Sequence, residues 1–428
     1  NHEFISDEQR VVLRRANLLI DSIGTLPTPL FHRLREPDVF AEPCLIISAL
    51  GLASWIYLIA GRGEFWRTTK FDDLGPAPGR ASWPTIAVVV PARDEAAGVG
   101  RCVTSILSQP YPGRLSMILV DDQSKDGTAE LAADAAAAIG ASERFVVLSG
   151  RPLPSGWTGK LWAVKQGLTQ VDGWPVQPDY VLLTDADIVY SGDVLMRLVA
   201  RAESEHLAMT SIMAKLRCES LAEKYLIPAF IFFFEMLYPF AWVRNRRRAT
   251  AAAAGGCILA RWDALKNAGG IDVIRGSLID DCALGAKLKA QGPVWLGFSH
   301  DVISVRASDT VADVGRMISR SAYAQLRYSP LILAGTVAGM ALVYLAPVVI
   351  ALFGHGLTAA FAAIAWLLMA LAFQPTLRYY GQPVFWGPAL PAIALAYLVF
   401  TVNSALQHMQ GRGGMWKGRA QAQVSNPK

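Results

Sequence analysis

Apolar positions along this chain fall into runs of two kinds. Four runs are long: 43–60, 331–353, 357–373 and 384–402. A helix needs about 20 apolar residues to cross the hydrocarbon layer of a bilayer, so 331–353 is long enough to span and 357–373 sits near the lower limit. Other runs are short. At 86–90, 117–120, 145–148 and 180–183 the chain carries brief segments rich in Val, Ile and Leu that end at polar, Gly or Pro residues, the pattern of buried parallel strands. Helical stretches at 98–109, 128–139 and 160–169 lie between them. This alternation predicts an α/β domain over 84–328 with helices on both faces of its sheet. Ligands of such folds bind at the carboxyl ends of the strands, and the polar motifs of this chain fall there.

A fifth apolar stretch, 226–243, interrupts that domain. It contains Glu235 and two prolines, and Arg244, Arg246, Arg247 and Arg248 follow at once. A crossing here would separate motifs that must share one site. The expectation is an interfacial or re-entrant helix whose arginines meet anionic headgroups; the alternative is a core helix with a solvated basic flank.

Composition agrees with a membrane protein. The chain of 428 residues is 53% hydrophobic and 18% charged, with mean hydropathy +0.31, too apolar for an ordinary soluble enzyme. A net charge of +5 suits an anionic membrane face better than a nucleic-acid partner, which is not expected. The five cysteines, Cys44, Cys102, Cys218, Cys257 and Cys282, show no metal-ligand spacing, and their odd number argues against a disulfide framework. Arg62, Arg67 and Lys70 behind the first long run place the following domain in the cytosol. Residues 1–42 form a mixed-charge extension with no signal-peptide pattern, and 403–428 form a basic tail. Three crossings within 331–402 would carry that tail outside, yet its Arg412, Lys417, Arg419 and Lys428 favour the inside. Either one stretch is not a full crossing or the tail breaks the rule.

Four motifs carry the chemistry. Pro91-Ala92-Arg93-Asp94-Glu95-Ala96 follows the first strand. Asp121-Asp122-Gln123-Ser124-Lys125-Asp126-Gly127-Thr128 follows the second, and carboxylates there are placed to accept hydrogen bonds from a base or ribose. Asp126 and Thr128 read as turn and helix-start residues. Thr184-Asp185-Ala186-Asp187 follows the fourth strand. Alternate residues of a strand share a face, so Asp185 and Asp187 are expected to point the same way. Such a pair repels unless a hard divalent cation bridges it to diphosphate oxygens. Last comes Ile279-Asp280-Asp281-Cys282 at a helix start spanning 281–290. The helix dipole favours acids there, so capping is one reading. The other is a general base that takes a proton from an acceptor hydroxyl.

In this order the motifs resemble those of inverting family 2 glycosyltransferases of the GT-A fold, and Lys160-Leu-Trp-Ala-Val-Lys-Gln-Gly167 resembles that family's lysine-bearing helix. Within it, Gly61-Arg-Gly-Glu-Phe-Trp66, Ala251-Ala-Ala-Ala-Gly-Gly-Cys257, Ile279-Asp-Asp-Cys282 and the segment 320–330 are similar to the membrane-bound, hopanoid-biosynthesis-associated group. The resemblance runs from about residue 43 to the end. It implies a nucleotide-sugar donor, of the UDP type, a lipid acceptor, and a bacterial inner-membrane enzyme with its catalytic domain in the cytosol. It also implies that Ala92 and Glu95 line the nucleotide pocket, that Asp122 meets uracil or ribose, and that Lys160 supports the donor. The same resemblance implies that Asp185 and Asp187 hold the diphosphate through Mg²⁺ or Mn²⁺, Asp187 more directly, and that Asp281 is the base. Processive relatives end this domain with Gln-x-x-Arg-Trp. Here Ala324-Gln325-Leu326-Arg327-Tyr328 lacks the leading Gln and the Trp, which argues against processive synthesis and leaves Arg327 as a diphosphate contact. Transfer to a polyprenyl phosphate or a glycerolipid is the alternative.

Other classes fit less well. Gly98-Val-Gly100 lacks the third glycine of a dinucleotide fingerprint, and Gly159-Lys160-Leu161 lacks the Ser or Thr of a P-loop. A transporter or lipid-binding membrane protein has no need of acidic pairs at successive strand ends and should carry polar residues at mid-membrane.

Overall fold

The computed structural model describes residues 41–77 and 79–412 and the short strands Met415–Trp416 and Arg419–Ala420. Nearly all of the 1–42 extension and the tail residues Lys417 and Lys428 lie outside the described residues. The chain enters through helix α1 (Ala41–Gly61). The sheet domain follows as β1 (Ile86–Ala92), α2 (Val99–Leu107), β2 (Leu115–Asp121), α3 (Thr128–Ala138), β3 (Phe145–Ser149), α4 (Gly159–Asp172), β4 (Tyr180–Leu183), β5 (Ile188–Tyr190), α5 (Val194–Ser204) and β6 (Met209–Lys215). It continues with α6 (Leu221–Leu237), α7 (Phe240–Arg244), β7 (Ile258–Arg261), α8 (Trp262–Asn267), α9 (Asp280–Lys289), β8 (Val294–Ser304), α10 (Val311–Ser319) and α11 (Ala322–Gln325). Apolar helices close the chain: α12 (Pro330–Met340), a π-turn (Ala341–Leu345), α13 (Ala346–Phe353), α14 (Gly356–Tyr379), a 3₁₀ segment (Val384–Ala389) and α15 (Leu390–Met409).

The eight strands form one sheet in the order β3-β2-β1-β4-β7-β6-β8-β5. β1 to β4 pair in parallel, β7 runs against β4 and β6, and β8 is parallel to β6. The strand-rich α/β reading therefore holds, with helices on both faces. Alternation along β1 explains the two layers. Val88 and Val90 join a core with Val103, Ala132 and Leu198, so α2, α3 and α5 cover that face. Ala87 and Val89 join the other, with Leu168 and Leu284 from α4 and α9. This second core has no gap between the sheet and the apolar helices, because Phe232, Phe373 and Tyr397 belong to it too. A Cβ on Gly167 would come within 2.5 Å of Val89, so glycine lets α4 lie directly on the sheet.

Among the described residues four helices are long and apolar enough to cross a membrane: Glu42–Gly61, Pro330–Phe353, Gly356–Tyr379 and Val384–Met409. The third was expected to stop at residue 373, near the lower length limit. It runs for 24 residues through Pro375 to Tyr379. The second contains Pro347, which has no N–H to give to Val343 four residues earlier. The indole of Trp55 on α1 donates to that carbonyl at 2.9 Å, and Gly51 leaves room for the proline ring, whose Cγ would lie 3.3 Å from a Cβ there.

The 226–243 stretch, expected to be an interfacial or re-entrant helix with a core helix as the alternative, packs against protein along one face. α6 starts at Leu221 with a Ser220–Glu223 capping box, and Leu226, Ile227, Ile231 and Phe232 are buried. Phe232 packs 5.2 Å from both Phe65 and Phe373, and Leu226 O accepts from Tyr397. Protein, not a headgroup layer, covers this face. Arg244 likewise meets the two Asp73 oxygens at 2.8 and 2.7 Å and lies over Trp295, which leaves it no free fork for lipid phosphate. Arg246, Arg247 and Arg248 are exposed.

Candidate active site

The first two motifs are stitched together at the ends of β1 and β2. Asp122 N donates to Ala92 O at 2.8 Å. Ser124 Oγ accepts from Asp94 N, and Asp94 Oδ1 accepts from Lys125 N, both at 2.9 Å. Thr128 Oγ1 accepts from Glu95 N at 2.8 Å, and Asp126 Oδ2 accepts from Ala96 N at 3.0 Å. Asp126 and Thr128, read from sequence as capping residues, thus also hold the 94–96 loop. Ala92 and Asp122 are wholly buried, and Arg93 Nη1 lies 3.6 Å from Asp122 Oδ2.

Lys160 stands at the centre. Thr158 Oγ1 caps α4 by accepting from Leu161 N, which places Lys160 in the first turn. Its Nζ lies 2.9 Å from Asp185 Oδ1 and 3.2 Å from Asp280 Oδ2, so the third and fourth motifs meet on one ammonium. Burial opposes the charge on Lys160, but these carboxylates outweigh it and hold its pKa above the usual range. Burial raises Asp185, against the pull of Lys160 and with added repulsion from Asp187.

Asp185 and Asp187 do not share a strand face. The chain leaves β4 at Leu183, turns at Ala186–Asp187 and enters β5 at Ile188, and the turn breaks the alternation. Asp185 faces Lys160. Asp187 accepts from Ser304 Oγ at 2.5 Å and from Arg306 at 3.2 Å, and Arg306 also pairs with Glu95 at 2.6 Å. Burial works against the charge on Asp187, yet Arg306 and Ser304 hold its carboxyl below the usual range.

Asp281 sits one residue into α9. Its Oδ2 accepts from Gly255 N at 3.1 Å and its Oδ1 from Cys282 N at 2.7 Å. Burial, then the neighbouring Asp280, push its pKa up to about 6, while Lys160 opposes. The polyalanine loop before Gly255 is explained by packing: a Cβ on Gly285 of α9 would come within 2.7 Å of the Ala252 backbone, so helix and loop touch directly. Lys160, Asp185, Asp280 and Asp281 line a small cavity whose remaining wall includes Leu161 and Ile258. Arg327 is exposed, has φ +53° and does not line it. Its neighbour Gln325 comes nearer, pairing with the Tyr238 hydroxyl at 2.7 Å beside Cys282.

Ser304, Arg306, Gly255 and Tyr238 were not singled out from sequence. Ser304 and Arg306 follow an apolar run at 294–298 and 302–303, so the strand-end rule that found the other motifs applies to them as well.

Among the described residues no group of three or more His, Cys, Asp or Glu is placed to hold a metal. The oxygen donors of Asp185 and Asp187 nevertheless suit a hard divalent ion completed by diphosphate oxygens. Asp185 and Asp280 share Lys160, and Asp187 pairs with Arg306, so the acids at this mouth already draw on positive charge, and an added cation would fit the same demand.

A family model described as glycosyltransferase-like family 2 matches residues 84–308. An N-acetylglucosaminyltransferase of Mesorhizobium japonicum is 29% identical over 197 residues, 44% of this chain and 42% of that protein, so the chain spans less than half of that relative. Mannosyltransferase PcManGT from Pyrobaculum calidifontis, solved with GDP-Man and Mn²⁺, matches with TM-score 0.54 and 17% identity over 85% of this chain and 99% of that one. This is a likeness of fold.

Proposed function

The chain belongs to glycosyltransferase family 2, and on that premise we propose that it moves a sugar from a UDP-type nucleotide sugar to a membrane lipid, with inversion at the anomeric carbon. The observation that carries this reading is the seat of Asp281: a carboxyl raised to about 6, beside Lys160 and Asp185, in a domain whose core continues into apolar helices long enough to cross a bilayer.

In this reading Asp281 accepts the proton of the acceptor hydroxyl as that oxygen attacks the anomeric carbon. The bond from that carbon to the diphosphate breaks, and the nucleoside diphosphate leaves with the bonding pair. Lys160 faces the departing charge. Asp185 and Asp187 would hold Mg²⁺ or Mn²⁺, which supplies charge neutralisation at the diphosphate when bound. Ala92, Glu95 and Asp122 serve the nucleotide end, where Arg306 fixes Glu95. The domain faces the cytosol at a bacterial inner membrane. The resemblance of the 61–66, 251–257, 279–282 and 320–330 segments supports an acceptor of the hopanoid class.

The test is incubation of the purified protein in lipid nanodiscs with a panel of UDP- and GDP-sugars and a membrane lipid extract, followed by mass spectrometry. A glycosylated hopanoid is the expected product. A glycosylated polyprenyl phosphate or glycerolipid would replace the acceptor assignment, and transfer only to water-soluble acceptors would overturn the membrane part of the reading.

A further inference from the structure

The last apolar segment begins and ends against the catalytic domain. At the C-terminal end of α14, Tyr379 donates to Ser299 O at 3.0 Å, and Tyr380 accepts from Leu216 N at 3.3 Å. Ser299 and Leu216 lie in and after the sheet strands β8 and β6, so this end of α14 is on the catalytic side. From there the chain doubles back. Gln374 on α14 donates to Val384 O at 3.0 Å, and Trp366 donates to Pro388 O at 3.0 Å. Val384–Ala389 therefore runs along α14 from the level of residue 374 to that of residue 366. At 1.5 Å per residue, Trp366 lies about 20 Å from the end of that helix, past its midpoint. A Cβ on Gly387 would come within 2.8 Å of Ala370 O, so the segment lies directly on α14.

α15 then returns. Along its length Tyr397 donates to Leu226 O at 2.9 Å, and Phe400 O accepts from Ser319 Oγ at 2.9 Å. Near its end Ser404 Oγ accepts from Tyr323 N at 3.0 Å, and His408 stacks on Tyr328 at 4.4 Å. Ser319 and Tyr323 belong to α10 and α11, which directly precede the second long apolar helix and sit on its catalytic-side end.

We propose that 384–409 is a re-entrant hairpin that enters the bilayer beside α14 and returns, so that the described residues make three crossings and residue 410 lies on the catalytic side. The inference rests on the reading above that these helices lie in a membrane. Broken helix at membrane depth is tolerated only where protein satisfies its backbone, and the side chains of Gln374 and Trp366 do that here. Protein cover agrees: 44% of the most apolar window of this segment is buried, against 17% in each of the first two long helices. A return also puts Arg412 on the side that basic residues favour. The hairpin has work at its far end. It seats α11, whose Gln325 holds Tyr238 beside Cys282, the residue after Asp281.

Single cysteines placed in the full chain test this in a Cys44→Ala, Cys218→Ala background that retains transferase activity. Glu143→Cys marks the catalytic domain, His355→Cys the turn between the second and third long helices, and Gln410→Cys the end of α15; all three positions are exposed. A membrane-impermeant maleimide is applied to spheroplasts and to inverted vesicles. Gln410→Cys is expected to label in the same preparation as Glu143→Cys, with His355→Cys labelling in the other. Labelling of Gln410→Cys together with His355→Cys would overturn the hairpin. Labelling of all three from one side would instead overturn the membrane crossings and the hairpin with them. A fluorescent-protein fusion after residue 428, which fluoresces only from the cytosol, gives the same answer without any cysteine change.

Discussion

The backbone amide of Gly255 donates to Oδ2 of Asp281 at 3.1 Å, and a Cβ at 255 would lie 3.2 Å from Lys160 Nζ and 3.5 Å from that same oxygen. One small residue thus sets the distance between the proposed base and the ammonium beside it. Gly255→Ala is expected to keep the fold, because the nearest atom is the end of a flexible side chain, and to lower turnover on the order of 10–10²-fold by moving both groups. Steady-state kinetics beside a thermal melt check this. Unchanged turnover would mean that the loop yields without disturbing either group.

The pH profile tests the base. Asp281 works deprotonated, so the rate should fall as pH drops through about 6. Lys160 lowers that pKa and Asp280 raises it. Lys160→Met should therefore move the acidic limb to higher pH, and Asp280→Asn should move it to lower pH. Asp281→Asn should lose ~10²–10⁴-fold in turnover with donor affinity kept. Equal losses for Asp280→Asn and Asp281→Asn would show that the two acids act through a shared field, and the single-base mechanism would be wrong.

Chelation tests the paired acids. EDTA should abolish transfer, with Mg²⁺ or Mn²⁺ restoring it. Calorimetric titration with UDP should show metal-dependent binding that Asp187→Ala weakens. Full activity in chelator, or UDP binding indifferent to both metal and Asp187, would remove the metal assignment.

Tyr238 and Gln325 meet beside Cys282, the residue after the proposed base, and test whether that side of the site receives the proposed lipid acceptor. Tyr238→Phe removes the hydroxyl that meets Gln325. The KM for the lipid acceptor should rise about 2–10-fold, the worth of one hydrogen bond, with the donor KM unchanged. A shift in donor KM alone would place the pair at the nucleotide end instead.

Much of this was legible in the sequence where local pattern decides structure. β1 to β4 are continuous Val, Ile and Leu runs, and their motifs follow directly. β6 reads Met-Thr-Ser-Ile-Met-Ala-Lys, and its buried Thr210 and Ser211 hide a strand that pairing with β7 and β8 creates. α14 seemed to stop before Gln374 and Pro375 because polarity and proline there look like a boundary. In the fold Gln374 spends its amide on Ala370 O and Val384 O, and the helix continues. The strand-end rule reaches Ser304 and Arg306 but not their pairing with Asp187, because they lie 117 and 119 residues away and are brought to it by the pairing of β5 with β8. The 226–243 stretch has the composition of a membrane-surface helix, and the packing of Phe65, Phe373 and Tyr397 against it could not be read from that composition.

The bond between Trp55 and Val343 has a consequence for the making of the protein. The two residues are 288 positions apart. In the proposed membrane, residues 330–353 without α1 beside them would lose the Trp55 indole as a donor to Val343 O, and a carbonyl left unpaired in hydrocarbon costs several kcal/mol. α1 leaves the ribosome long before and, on the proposed membrane reading, must still be nearby when residues 330–353 arrive. On the proposed reading the first helix would be a template for insertion as well as a tether, and deleting it would remove the Trp55 donor from the Val343 carbonyl.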